Sequence, residues 1–451
     1  MKKIREVFFN RQPNKLFRGF GPAFLAIALG IGSGEFILWP YLSAHYGFGI
    51  LWGALLGITI QLAIVYTIEK NTALLGENIL VSFRCVFKWA FPWILLSTII
   101  GFGWPGFSAM ASKILLGGFG IDFPHQYLSL AFLLGAVCVL IFSREVYKRI
   151  LDLQKINMSL LLILVTYLFI HYFDIGILTE MAKGFAGIGE GFLFLPVGLS
   201  VVTFMGAIAY AGSGGNLLLV NSFFAEREKK GLVGKKYHYY DAIVPTNGDE
   251  SIQNAKDFNK HTFKQNILFF WLTGIIIIIL LSYVSYAVLF GNPDLAEDFT
   301  FIITEANVFS SMIHPIVGSL FIISGIFALM GVQLGVLDFM GSASKTIKNY
   351  SHKKKYNRMT DGRAYKIGVL AMGLFGAAIL ASGIDSPKFL IVTGSVINAF
   401  AMGAIAFLLY RIESKLLPSY LKSGVLRFIL ILITTFYFGF FVYLFADKFI
   451  F

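Results

Sequence analysis

The sequence predicts an all-α integral membrane protein. Of its 451 residues, 57% are hydrophobic and only 14% are charged, which is too little polar surface for a soluble protein of this size. The apolar residues form continuous runs, and about 20 such residues let a helix cross a hydrocarbon core of about 30 Å. Because the runs do not alternate apolar with polar residues, they predict helices rather than the strands of a membrane barrel.

The apolar runs number eleven, and we expect each to be a membrane-spanning helix. They lie near 20–41, 48–68, 89–117, 127–143, 157–173, 193–224, 265–290, 312–343, 366–383, 388–410 and 425–446. Eleven spans divide into two halves of five and one extra helix. We therefore expect one transmembrane domain, 1–451, with a cytoplasmic N-terminus at 1–19, a first repeat at 20–173, a second repeat at 193–410 and an extra helix at 425–446.

The net charge of +12 is distributed unevenly between the segments that join the spans. The N-terminal segment and every second connecting segment after it contain 33 of the 37 Lys and Arg residues. The segment 291–311, on the other side, contains four acidic residues and no Lys or Arg. Positive charge concentrates on the cytoplasmic face of membrane proteins. The pattern predicts a multi-pass protein of the cytoplasmic (inner) membrane with its N-terminus inside and its C-terminus outside. Its basic residues face the lipid bilayer, which argues against a nucleic-acid partner.

Two long loops lie on the predicted cytoplasmic side, at 225–264 and 344–366. The first includes Asp241-Ala-Ile-Val-Pro-Thr-Asn-Gly-Asp249 and is expected to be irregular, because Pro, Asn and Gly interrupt regular structure. The second contains three consecutive lysines, which we interpret as a patch that faces lipid headgroups.

Two of the predicted spans contain a similar cluster of small residues. The first reads Gly30-Ile-Gly-Ser-Gly-Glu-Phe36, and the sixth reads Tyr210-Ala-Gly-Ser-Gly-Gly-Asn216. Each glycine weakens a helix by up to about 1 kcal/mol, so a cluster favours an interruption. The two spans hold equivalent positions in the two halves, and interrupted helices at matching positions of an inverted repeat indicate a transporter's midplane substrate site. The alternative is that small residues only let neighbouring helices pack closely.

An interruption changes what the backbone of a helix can bind. It frees carbonyl groups on one side and N–H groups on the other. Within lipid both sets need partners, so an interruption has to line a cavity enclosed by protein. Carbonyl ends then suit cations, and N–H ends suit carboxylates and other anions.

Glu35 is the central candidate, because it lies deep in the first span and follows the interruption directly. A carboxylate at this depth costs about 2.5 kcal/mol or more unless it is partnered or protonated. We expect it to bind substrate or a coupling proton, although it could also cap the freed N–H groups. Gln61 and Asn398 are interpreted as interhelical hydrogen-bonding residues, and Asp338 as a gate or helix-end partner. The other candidate site residues are Gly32, Ser33, Gly34, Tyr210, Ala211, Ser213, Asn216 and Gln333.

The first span and the start of the second resemble the Nramp family of metal-ion transporters. The residues that carry the resemblance are Gly21-Pro22, Gly32-Ser-Gly-Glu-Phe36, Tyr46-Gly47 and Leu51-Trp52. Span number and orientation are also similar along most of the chain. The resemblance implies a leucine-transporter-type fold with about 11 transmembrane helices, a 5+5 inverted repeat and broken helices 1 and 6. It also implies cation import that is usually coupled to protons.

The sequence departs from that family at both of its motifs. Asp-Pro-Gly-Asn of the family is Gly32-Ser-Gly-Glu35 here, and Met-Pro-His-Asn is Ser213-Gly-Gly-Asn216. The family's metal-binding Asp and thioether ligand are therefore absent, which leaves an oxygen-only site suited to hard cations. The Gly-Ser-Gly cluster also resembles the first helix of amino-acid/polyamine/organocation transporters, where freed N–H groups hold a substrate carboxylate.

The predicted function is secondary active transport of a divalent metal cation such as manganese, iron or magnesium, with protons as a candidate coupling ion. Glu35, Ser213 and Asn216 are the predicted metal ligands, completed by backbone carbonyls near Gly32 and Ala211. The alternative is transport of an amino acid or another small organic solute. No cofactor is expected. No enzyme activity is expected either, because no His cluster with metal-ligand spacing and no serine hydrolase arrangement is apparent.

Overall fold

A computed structural model describes residues 4–10, 34–142, 144–235, 242–292, 295–296, 298, 300–351 and 359–449. Within these residues, nine helices are long and apolar enough to cross a membrane. The first predicted span is not among the nine because Gly34 is the first of its residues that the structure describes. The sixth is not among them because its helix is interrupted. The chain is a multi-pass membrane protein built almost entirely from helices.

The described part of the first half contains eight helices, which follow a π-helical turn at Gly34–Leu38. They are α1 (Trp39–Tyr46), α2 (Leu51–Leu75), α3 (Ile79–Val86), α4 (Ala90–Phe102), α5 (Gly106–Gly118), α6 (His125–Phe142), α7 (Arg144–His171) and α8 (Ile175–Gly184). Helices α4 and α5 together form the third predicted span. The kink between them lies just before Pro105, because proline has no N–H group with which to continue a helix.

In the second half, the residues that the structure describes form nine helices and most of the short strands. The helices are α9 (Val201–Ala209), α10 (Val220–Arg227), α11 (Asp249–Asn266), α12 (Thr273–Leu289), α13 (Phe301–Met312), α14 (Pro315–Tyr350), α15 (Asp361–Ala381), α16 (Pro387–Lys415) and α17 (Gly424–Phe449). Strands β2 (Ile188–Gly189) and β3 (Phe192–Leu193) form an antiparallel hairpin. Strand β1 (Ile4–Val7) pairs in parallel with β4 (Ala242–Pro245).

The sixth predicted span is interrupted at its glycine cluster. Helix α9 ends at Ala209, and a 3₁₀ turn at Gly215–Leu219 leads into α10. Gly214 and Gly215 have φ angles of 64° and 45°, a left-handed conformation that glycine adopts without a steric penalty. The cluster therefore places an irregular segment, 210–214, between two short helices.

The prediction of an irregular loop at 225–264 is wrong for its second part. Residues 249–264 belong to α11, which continues through a π-helical turn at Ile267–Leu272 into α12. Its buried residues recur every three or four positions, at Ser251, Ala255, Phe258, Thr262 and Asn266, which is the spacing of one helix face. The polar remainder of this helix concealed that spacing.

The N-terminal segment is attached to this loop. Phe9 is fully buried, and its ring lies 5.6 Å from the ring of Phe258 on α11. Its backbone N–H donates to the hydroxyl of Ser251, and its carbonyl accepts from the amide of Asn254. Side-chain packing and backbone pairing therefore hold 4–10 against β4 and α11, on the predicted cytoplasmic side.

Several helices pack around the interruption in the sixth span. Helix α2 packs against both α9 and α10, and α16 packs against α9, α4 and the 3₁₀ turn. Helix α1, which continues from the π-helical turn, packs against α12. This arrangement puts Gly34 and Glu35 next to the interrupted span.

Candidate substrate site at the interrupted helices

The two predicted interruptions meet at Gly34. A Cβ atom at this position would overlap the carbonyl oxygen of Tyr210 and lie 3.2 Å from the backbone nitrogen of Ala211. Only glycine lets the two backbones approach this closely. Gly34, Tyr210 and Ala211 are therefore together, as the sequence predicts, whereas Gly32 and Ser33 lie outside the described residues.

Glu35 follows Gly34 in the π-helical turn, and its side chain is only 1% exposed. The next residue, Phe36, packs against the ring of Phe321 on α14 at 5.3 Å. The carboxyl group is thus enclosed within the protein, beside an interruption that frees backbone groups. Charge at such depth is costly in the absence of a compensating group, and intramembrane carboxylates usually mark an ion or substrate path.

Gln61 on α2 bridges the interruption of the sixth span. Its amide nitrogen donates to the carbonyl of Ala209 at 3.1 Å, and its amide oxygen accepts from the backbone N–H of Gly214 at 3.1 Å. One side chain therefore satisfies a freed carbonyl and a freed N–H group on opposite sides of the interruption. These two hydrogen bonds stabilise an irregular backbone segment whose polar groups would have no partners in lipid.

Asn398 on α16 fixes the position of Tyr210. Its amide nitrogen donates to the Tyr210 hydroxyl at 2.9 Å and to the carbonyl of Gly101 at 3.0 Å. The Tyr210 ring stacks on Phe102 at 6.0 Å. Both contacts hold the first residue of the irregular segment against α4 and α16. Gln61 and Asn398 are thus interhelical hydrogen-bonding residues, as predicted, and their partners belong to the interruption itself.

Asn216 points toward α4 with its amide nitrogen. That nitrogen donates to the hydroxyls of Ser97 and Thr98 at 2.7 and 2.8 Å. The amide oxygen is buried and accepts no hydrogen bond from the described residues. The amide nitrogen is therefore occupied with structural contacts, and the oxygen remains as the atom that could bind a cation. Ser213 is also buried, within the irregular segment.

The remaining polar candidates lie on α14. Gln333 is 2% exposed, and its amide oxygen is buried without a hydrogen bond from the described residues. Asp338 lies five residues further along, where it accepts a hydrogen bond from the hydroxyl of Tyr365 at 2.7 Å and lies 3.9 Å from the guanidinium of Arg227. These contacts give Asp338 partners on α15 and α10, and its role as a gate or helix-end partner stays a prediction.

The donor set at the interruption is composed of oxygen atoms. Among the described residues, no three His, Cys, Asp or Glu side chains are grouped so that they could hold a metal ion. A cation bound here would depend on one carboxylate, Glu35, together with amide, hydroxyl and backbone oxygens. Such donors suit hard cations rather than soft ones.

Solved structures of transporters share this architecture at low sequence identity. A mutant of a manganese transporter from Eremococcus coleocola is 12% identical with a TM-score of 0.64, over 96% of this chain and 88% of that chain. Mhp1, a nucleobase-cation-symport-1 family transporter, is 13% identical with a TM-score of 0.58, over 99% and 95%. MhsT in complex with L-phenylalanine is 16% identical with a TM-score of 0.56, over 96% and 99%.

The sequence itself matches neither a known protein family nor a curated protein. The likeness is therefore one of fold, and it extends over nearly the whole chain. The neighbours confirm the predicted leucine-transporter-type fold. They bind different kinds of substrate, so the fold alone does not select between a metal ion and an organic solute.

Proposed function

We propose that this protein is a secondary transporter that moves a divalent metal cation of the manganese, iron or magnesium class by alternating access. The observation that carries the proposal is the carboxyl group of Glu35, 1% exposed and adjacent to the contact between Gly34 and the Tyr210 carbonyl. A buried carboxylate beside freed carbonyl groups attracts a cation. The transporters with the same fold support transport as the general activity.

The close packing around the interruption favours a small substrate. Gly34 lies against the Tyr210 carbonyl, and a Cβ atom at Gly215 would overlap the side chain of Asn398. We propose Glu35, Ser213 and Asn216 as ligands, with backbone carbonyls near Gly32 and Ala211 and with Gln333 as a further lining residue. Oxygen atoms from these groups suit Mn²⁺ and Mg²⁺.

Alternating access requires two halves that move around the fixed site. We propose the repeats at 20–173 and 193–410, with 425–446 as an extra helix, as those halves. The proposed orientation places the N-terminus inside and the C-terminus outside the cytoplasmic membrane, because 33 of the 37 Lys and Arg residues then lie inside. Inverted repeats with interrupted helices commonly work in this way.

The test is uptake of Mn²⁺ into proteoliposomes that contain the purified protein. The Glu35→Gln variant keeps the size of the side chain and loses its charge, so we expect it to fold and to lose saturable uptake. The matched control is Glu180→Gln, because Glu180 is a carboxylate on α8 that pairs with Lys183 and whose side chain is 39% exposed. This control should transport at the wild-type rate.

The same proteoliposomes distinguish the organic-solute alternative. MhsT, which shares the fold, was crystallised with L-phenylalanine, so a panel of amino acids belongs in the assay. Uptake of an amino acid by the wild type, with no uptake of Mn²⁺, Fe²⁺ or Mg²⁺, would replace the metal proposal with the amino-acid one. Normal Mn²⁺ uptake by Glu35→Gln would remove Glu35 from the site.

A further inference from the structure

Another carboxyl group is as deeply buried as that of Glu35. Glu305 lies on α13, between the spans that contain α12 and α14, and its side chain is 1% exposed. On the proposed orientation this helix belongs to the extracellular side. Unpaired charge is rarely buried, because desolvation strongly disfavours the ionised form. The surroundings of Glu305 therefore decide whether it carries a charge.

The described surroundings of Glu305 provide a hydroxyl donor and no cation. The hydroxyl of Ser285 on α12 donates to Oε1 of Glu305 at 2.7 Å. Tyr172, after α7, is the other titratable group beside it, and its ring lies 6.2 Å from Phe309, one turn along α13. Among the described residues, no Lys, Arg or His forms an ion pair with Glu305. Basic residues of the same region are engaged elsewhere, since Lys113 of α5 pairs with Asp298 and His314 caps α14.

Burial without a cation keeps this group protonated at neutral pH. Burial raises the pKa of Glu305 from 4.5 to about 8, although the hydrogen bond from Ser285 lowers it in part. A protonated carboxyl group is neutral and can occupy an apolar interior. An ionised one at the same place would lack a countercharge. The docked position of α13 thus depends on a bound proton.

Helix α13 is connected to the half-helix that carries Glu35. The ring of Phe301 lies 5.8 Å from Tyr41 on α1. The ring of Phe309 lies 5.2 Å from Phe321, which in turn lies 5.3 Å from Phe36, the residue after Glu35. Two lines of aromatic contact therefore join the helix of Glu305 to the candidate substrate site. A movement of α13 would change these contacts.

We infer that Glu305 is a proton-binding site through which external protons control the docking of α13 over the half-helix that holds Glu35. This inference rests on the proposed function in one respect, because the half-helix against which α13 docks is the one that carries Glu35 of the proposed substrate site. With the proton bound, α13 is docked against α1 through the contact between Phe301 and Tyr41. Loss of the proton leaves a buried charge, which is relieved when α13 undocks and Glu305 reaches water.

The dependence on pH follows from the two states of Glu305. Its pKa is about 8 in the docked state and returns toward 4.5 when the carboxyl group is hydrated. Docking is therefore most favourable below pH 4.5 and weakens as the pH rises to about 8. Between these values the docking equilibrium constant falls by up to about tenfold per pH unit, and above about pH 8 it is constant.

The first test observes the proton directly and needs no substrate. Infrared difference spectra of the purified protein between about pH 6 and about pH 9.5 should show the carbonyl stretch of a protonated carboxylic acid that disappears at the higher pH. We expect Glu305→Gln to lack this signal. The matched control is Glu190→Gln, because Glu190 is an exposed carboxylate that also accepts from a hydroxyl, that of Tyr286 at 2.8 Å. It should keep the signal.

The second test observes docking through cysteine accessibility. Ala306→Cys places a thiol on α13 at a residue that is 1% exposed, and Met312→Cys places one on the same helix at a residue that is 72% exposed. Both are made after Cys85 and Cys138 are replaced by serine. The labelling rate at 306, divided by the rate at 312 to remove the intrinsic pH dependence of thiols, should rise about tenfold or more as the pH approaches about 8. In the Glu305→Gln background the ratio should stay flat.

Two results would overturn the inference. One is an infrared signal that persists in Glu305→Gln, since the protonated group would then be another residue. The other is a 306-to-312 labelling ratio that changes with pH equally in the Glu305→Gln background. Neither measurement involves Mn²⁺ or any other substrate. Failure of the proposed transport function would therefore appear as an absence of uptake, with the infrared and labelling results unaffected.

Discussion

At the scale of single residues, Gln61 is the side chain that bridges the interruption with two hydrogen bonds. Replacement by Met keeps the volume and removes both hydrogen bonds, which leaves the Ala209 carbonyl and the Gly214 N–H without partners. Each unsatisfied buried group costs about 1–3 kcal/mol. We expect Gln61→Met to lower the Tm of the purified protein and to abolish transport, because the irregular segment would rearrange.

A buried amide on another helix provides the control for Gln61. Asn157 on α7 donates one hydrogen bond to the carbonyl of Ser324 at 3.1 Å and is 7% exposed. Asn157→Leu should lower the Tm as well, yet leave uptake largely intact. Equal loss of uptake in the two variants would mean that general stability, rather than support of the interruption, explains the effect of Gln61.

Some features of the candidate site are predictable from the sequence, and the directions of its side chains are not. The depth of Glu35 and the two glycine clusters are visible along the chain, and the structure places Gly34 against Tyr210 as expected. The direction of a side chain is not visible. Asn216 turns its amide nitrogen to Ser97 and Thr98, residues more than a hundred positions away, and no local pattern could have indicated that partner.

At the scale of elements, the N-terminal strand is held by Phe9. Its ring is fully buried against α11, and replacement of a buried Phe by a small residue costs about 3–5 kcal/mol. We expect Phe9→Ser to release β1 from β4. Hydrogen–deuterium exchange of the backbone amides at 4–7 and 242–244 should then become faster, while exchange in the long helices stays unchanged.

The neighbouring residue is a close control for Phe9. Phe8 is 44% exposed, so Phe8→Ser removes an aromatic ring of the same size without emptying a buried position. Exchange at 4–7 should stay slow in that variant. Fast exchange in the wild type already, or equal acceleration by both substitutions, would show that the side chain of Phe9 does not hold the strand.

This element could not be found from the sequence, for a physical reason. Strands β1 and β4 are about 240 residues apart, and each is only four residues long. Sequence periodicity detects elements that bury one face of a continuous segment. A short parallel pair is stabilised by its partner and by nearby packing, which only the folded chain brings together. The spans, by contrast, were predictable because each is marked by about 20 consecutive apolar residues within one segment.

At the scale of the whole molecule, a buried ion pair joins distant parts of the chain. The ammonium of Lys70 on α2 donates to both carboxylate oxygens of Glu413 on α16, at 3.0 and 2.9 Å, and the two side chains are 2% and 0% exposed. Removal of one partner from a buried pair costs about 3–5 kcal/mol, whereas replacement of both is often nearly neutral. We expect Lys70→Met to lower the Tm sharply and Lys70→Met combined with Glu413→Met to restore most of it.

An exposed pair sets the baseline for that comparison. Lys155 and Asp152 lie one turn apart on α7 at 2.8 Å and are 43% and 69% exposed. Exposed pairs contribute about 0–1 kcal/mol, so Lys155→Met should leave the Tm almost unchanged. A double variant at Lys70 and Glu413 that is no more stable than the single one would indicate that the pair contributes net stability rather than merely avoiding an isolated charge.

The orientation of the whole molecule is the last prediction, and it rests on loop charge. The segment 291–311 contains no Lys or Arg, whereas 344–366 contains eight, and positive charge stays on the cytoplasmic side. After replacement of Cys85 and Cys138 by serine, we introduce Ser311→Cys or Arg363→Cys, both at exposed positions. A membrane-impermeant thiol reagent added to intact cells should label 311 and not 363.

Permeabilised cells supply the control, because both cysteines should then react at similar rates. Labelling of 363 but not 311 in intact cells would invert the orientation. It would place Glu305 on the cytoplasmic side, where the proton it binds would come from the cell interior. Labelling of both in intact cells would contradict the crossing of the membrane by α14, which joins the two segments over 36 residues, Pro315–Tyr350. A helix of that length rises about 54 Å at 1.5 Å per residue, enough to separate the two cysteines by a full bilayer.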